Sequence, residues 1–133
     1  MKITRIEGIG HLYGKKMGVH GIRTTDHLLA AGATRQGRKE LAEITGISEN
    51  LILSWVNLAD LIRVPGIGEE YSDLLEESGV DTVLELRHRN PANLHAHLIE
   101  TNERRKLVRR VPSLREVTSW VGHAKKLPPG IFY

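Results

Sequence analysis

The stretch Gly8-Ile9-Gly10, followed by His11, Lys15 and Lys16, is the part of this 133-residue chain whose residue types and spacing best suit chemistry. Glycine reaches backbone angles closed to other residues and lets the main chain approach a ligand closely. An isoleucine between two glycines can turn inward and anchor the bend. A helix that starts directly after such a bend presents N–H groups without intrahelical partners, and its dipole favours an anion there. Gly66-Ile67-Gly68 repeats the pattern, but Glu69, Glu70 and Asp73 follow it in place of cations. A carboxylate there repels a phosphate and competes for the helix start. The prediction is a phosphate-holding first hairpin built from Gly8, Ile9, Gly10, His11, Lys15 and Lys16. Gly66, Ile67 and Gly68 form a hairpin of structural use only.

Charge is unevenly spread over a net +3. Residues 1–23 carry five Lys or Arg against Glu7 alone, and residues 69–85 carry seven acids and no base. Arg104, Arg105, Lys106, Arg109 and Arg110 make a second basic run. That run is either a secondary phosphate-facing strip or a helix end where cations suit the dipole. Blocks of this kind steer polyanions, although a charge run is ordinarily a solvated face.

Other chemistries find little support. There is no cysteine, which excludes disulfides and thiolate metal sites and fits a cytoplasmic protein. His95 and His97 are two apart and point apart on a helix, so no metal site is expected. Asp26 and Asp81 read as helix starters, and no nucleophile is paired with a base, so no enzyme is expected. No apolar run approaches the ~20 residues of a membrane span, and "MKITRIEGIG" lacks the apolar core of a signal peptide. No membrane partner is expected.

The positioning elements are helices. A shift of 58 lays Gly8-Ile9-Gly10 on Gly66-Ile67-Gly68, Tyr13 on Tyr71, Gly21-Ile22 on Gly79-Val80, Thr24 on Thr82 and Leu28 on Leu86. A shift of 65 lays Ser54-Trp55-Val56 on Ser119-Trp120-Val121. Apolar spacing predicts helices near 11–19, 25–31, 35–45, 49–62, 69–78, 83–89, 91–106 and 114–126. Ser48, Asn90 before Pro91, and Ser113 with Glu116 three later are cap signals; Thr82 with Glu85 is another. Gly46 and Gly79 read as left-handed stops. Trp55 and Trp120 lie in apolar stripes and are assigned to the core rather than to base stacking. The fold expected is all-α, one compact pseudo-two-fold domain of two repeats, 1–62 and 63–127, with an irregular tail at 128–133.

Each unit reads as an apolar approach, Gly-Ile-Gly, a helix, Gly-apolar, a Thr cap and another helix. "LADLIRVPGIGEEYSDLLEESGVDTVLEL" in particular resembles the helix-hairpin-helix motif of DNA repair, recombination and replication proteins. The stretch from Gly21 to Leu98 is similar to the bacterial domain-of-unknown-function family 4332, in which essentially the whole chain is placed and which is assigned to the helix-hairpin-helix group. The resemblance implies that hairpin N–H groups hold a DNA phosphate without reading sequence, at times beside a monovalent cation on hairpin carbonyls; no other cofactor is implied. The same tandem also serves as a protein-docking module, so a protein partner stands as the alternative to DNA.

Overall fold

The computed structural model describes residues 1–133. After a 3-10 turn at Ile3–Arg5 come eight helices: α1 Gly10–Gly18, α2 Thr25–Gly32, α3 Arg35–Thr45, α4 Glu49–Leu61, α5 Glu69–Glu77, α6 Val83–Leu86, α7 Pro91–Arg105 and α8 Leu114–Ala124. The one extended pairing is an isolated antiparallel bridge between Lys2 and Thr24. The all-helical expectation holds, with boundaries within a few residues. The largest departure is α6, which ends at Leu86 rather than near 89.

Local chemistry sets the boundaries. Thr24, Thr34, Thr82, Asn90 and Ser113 each accept a hydrogen bond from the N–H three residues on, and Ser48 accepts from Leu51 N–H. The Ser113–Glu116 capping box is complete. At α6 the box is displaced by one residue: Glu85 accepts from Asp81 N–H, not from the cap residue Thr82. Gly46 ends α3 in the left-handed region at φ 72°, where glycine has no Cβ to clash.

Contacts divide the chain into two compact units, Met1–Asp60 with Gly130–Tyr133, and Leu61–Pro129. In the first, Ile3, Ile6, Ile9, Met17, Leu28 and Trp55 are buried. In the second, Leu61, Val64, Ile67, Leu75, Val80 and Trp120 belong to one apolar cluster. The last residues are irregular, as expected, yet they are tied down. Ile131 is buried, Phe132 N–H donates to Ala33 O at 2.7 Å, and Tyr133 Oη bonds Asn57 Oδ1 at 3.3 Å.

Arg38 organises that end of the first unit. It is only 5% exposed. Its guanidinium donates to Gly32 O at 2.8 Å, Ala33 O at 3.2 Å and Phe132 O at 3.2 Å. Two of these acceptors lie at the carboxyl end of α2, where the helix dipole favours a cation. Replacing Arg38 by Ala is expected to lower stability by about 2–3 kcal/mol, because it leaves buried carbonyls without their charged donor. A urea midpoint no lower than wild type would contradict this role.

Candidate functional site

Each Gly-Ile-Gly bend lies against a tryptophan indole. Gly8 and Gly66 both take φ +92°, and a methyl group on either would lie 3.3 Å from Trp55 Nε1 or 3.0 Å from Trp120 Nε1. The central isoleucines are buried. Tyr13 packs on Trp55 and Tyr71 on Trp120, each with ring centroids 5.1 Å apart and planes inclined at 55° and 52°. The turns that end the following helices also match. Gly21 N–H bonds Gly18 O and Gly79 N–H bonds Glu76 O, both at 3.0 Å; Ile22 N–H bonds Met17 O at 3.1 Å and Val80 N–H bonds Leu75 O at 2.9 Å.

The second glycines differ. Gly10 is left-handed at φ +58°, whereas Gly68 is extended at φ −106° and serves as the N-cap of α5. Neither α1 nor α5 has a side-chain cap, in contrast to the other helices, so the amide end is left to whatever lies beside it. The first turn of α1 contains no acid, and that of α5 contains Glu69 and Glu70.

The predicted site residues of the first hairpin do not all converge. Lys15 and Lys16 belong to the last turn of α1, about 8 Å along the axis from Gly10 at 1.5 Å per residue. Lys16 turns to Tyr13, with Nζ 5.8 Å from the ring centroid. His11 and Lys15 instead line an open groove of about 640 Å³ with Lys2, Ile3, Thr4, Gly14, Gly18, Val19 and Arg23. Lys2 and Arg23 enter because the Lys2–Thr24 bridge, with Ile3 N–H bonded to Arg23 O at 3.0 Å, brings the chain start beside the α1–α2 turn. No carboxylate lines the groove. Gly14 is a packing glycine: a methyl there would meet Thr4 Cγ2 at 2.7 Å.

Lys2 and Arg23 were visible as part of the basic N-terminal block but not as members of the site. The repeat carries a sharper signal. At the shift of 58, Lys2, His11, Lys15 and Arg23 correspond to Asp60, Glu69, Asp73 and Asp81. Lys15 and Arg23 thus give way to acids, as does His11, whereas Asp60 lies buried near the end of α4 within the first unit. Burial, then the charge of Glu85, pushes the Asp81 carboxyl above its ordinary pKa.

The second basic run does not form a continuous strip. Arg105 ends α7 and pairs with Glu77 at 3.2 Å. Lys106 takes the left-handed cap at φ 51°. Arg110 grips Glu116 through both guanidinium nitrogens at 2.8 and 3.0 Å and lies over the Tyr71 ring, 6.0 Å from its centroid. Arg104 and Arg109 remain exposed. Elsewhere, no group of three or more His, Asp or Glu residues is placed to hold a metal ion, and no helix is long and apolar enough to cross a membrane.

Fold and site together define an all-helical protein whose two Gly-Ile-Gly bends share local geometry and differ in charge. The family profile of the domain of unknown function DUF4332 matches residues 7–127, and the chain belongs to that family. No solved structure matches it.

The Arg110–Glu116 pair gives a pH signature. The Arg110 hydrogen bonds, then the Ser113 backbone N–H, lower the Glu116 pKa from 4.5 to about 2. A lowered carboxyl pKa stabilises the folded state fully above its unfolded value and loses that contribution as pH falls through the folded one. The stability difference between wild type and Glu116→Gln is therefore expected to be largest above about pH 5 and to shrink toward pH 2. Urea titrations at several pH values check this, and a pH-independent difference would contradict it.

Proposed function

We propose that the protein is a non-enzymatic, sequence-independent nucleic-acid-binding module whose first unit meets the phosphate backbone. The observation that carries this reading is the groove beside the first hairpin. It gathers Lys2, Lys15, Arg23 and His11 without a carboxylate, next to a helix start with neither a side-chain cap nor an acid. Phosphate contacts of this kind position a protein on a strand without reading bases. The tandem helix-hairpin-helix reading of the two bends points the same way, by analogy of fold. The second hairpin, with Glu69 and Glu70 in the first turn of its helix, keeps a structural role. A monovalent cation on hairpin carbonyls belongs to the same analogy.

A protein–protein adaptor is the second reading. Leu12 on α1 and Val19 at its C-cap are 68% and 76% exposed, seven residues apart and so on one side of the helix. An exposed apolar pair beside cations also suits a protein surface.

Duplex binding at low salt separates the two. With about three phosphates neutralised by Lys2, Lys15 and Arg23, affinity is expected to fall roughly 40-fold between 50 and 200 mM salt. Reversing Lys15 and Arg23 to Glu together should largely abolish binding and flatten the salt dependence. Reversing Lys16 alone should cost less, and Glu69→Lys with Glu70→Lys should leave binding intact or strengthen it. A gel-shift series checks all of these. No shift at low salt by the wild type would favour the adaptor.

A further inference from the structure

We infer that the groove of the first unit is a site for a single nucleotide, with a phosphate held by Lys2, Lys15, Arg23 and His11 and an apolar body laid along α1. The inference rests on the phosphate-binding reading of this face but does not require a polymer. Its volume of about 640 Å³ falls within the roughly 300–1,000 Å³ of small-molecule sites. A bare anion needs only a small polar cradle. This groove is larger, and its walls are mainly carbon, with Ile3, Thr4 and Val19 lining it. Gly18 leaves the end of that wall without a side chain, four residues after Gly14, whose own face is covered by Thr4. The ligand that matches is flat and apolar at one end and anionic at the other.

The fold does not require the cations. At the shift of 58 the positions of His11, Lys15 and Gly18 hold Glu69, Asp73 and Glu76 on α5, and that of Arg23 holds Asp81. The turn that ends α1 is matched by the turn that ends α5. Cations gathered around one concavity, at positions where the fold accepts acids, point to an anion from outside the chain.

Gly18 supplies a clean test. A methyl on Gly18 would lie 4.0 Å from the nearest Arg23 atoms, and its backbone angles are open to any residue. Gly18→Leu should therefore fold normally while filling the groove, with an unchanged or raised urea midpoint as the control. The probes are adenosine monophosphate, adenosine and inorganic phosphate, followed through backbone amide NMR shifts of the full chain. The expected result is saturable shifts for residues 2–4 and 11–23 with adenosine monophosphate. Adenosine and phosphate should each bind at least tenfold more weakly. Gly18→Leu and Lys15→Ala should each weaken the nucleotide at least tenfold. Competition by a single-stranded trinucleotide would assign the nucleotide to a strand, and its absence would assign it to a free mononucleotide; both keep the inference. It is overturned if the nucleotide causes no shifts, if phosphate alone binds as well, or if Gly18→Leu binds like wild type. Duplex retardation without nucleotide shifts would sink this inference and leave the proposed function standing. Nucleotide binding without duplex retardation would do the reverse.

Discussion

The contact between a glycine and an indole edge governs both halves of the protein. With φ at +92° and the indole nitrogen of Trp55 or Trp120 beneath it, a side chain at Gly8 or Gly66 would press on the indole and occupy a backbone region that disfavours it. The bend that results drives Ile9 and Ile67 into the core and sets Tyr13 and Tyr71 against the same indoles. It also starts α1 and α5 without a side-chain cap. What a glycine bend cannot supply is an acceptor for the first amides of the helix, so the charge of the neighbouring residues decides what occupies that end.

Those neighbours differ in sign between the two bends, cations after the first and acids after the second. Core positions related by the shift of 58, such as Ile3 and Leu61 or Met17 and Leu75, are buried in both copies. The helix-ending hydrogen bonds repeat within a few tenths of an ångström. Lys2, His11, Lys15 and Arg23, by contrast, are exposed and contribute little to stability, because charges in water gain little from fixed positions. The packing of the first unit therefore does not fix their charge.

Arg38 shows the opposite case, a charge the fold does need. It fits inside the first unit only because three carbonyls, two of them at a helix carboxyl end, surround its guanidinium. Phe132 supplies the third carbonyl, and residues Gly130–Tyr133 belong to the first unit.

The helices, most caps and the buried tryptophans were legible in the sequence, since apolar period, cap residues and glycine stops act over a few residues. The pair of Gly-Ile-Gly bends against a tryptophan was signalled by the shift of 58. The make-up of the groove was not. Lys16 stands next to Lys15 in sequence but turns to Tyr13, because successive residues on a helix point about 100° apart. Lys2 and Arg23, twenty-one positions apart, meet through one backbone bridge. The basic run at 104–110 looked continuous, yet a left-handed turn at Lys106 and the carboxylates of Glu77 and Glu116 break it up. Sequence by itself determined the elements and the local charge, which depend on near neighbours. Only the tertiary structure decided which cations share a groove and which are taken by acids, because those pairings depend on distances between residues far apart in the chain.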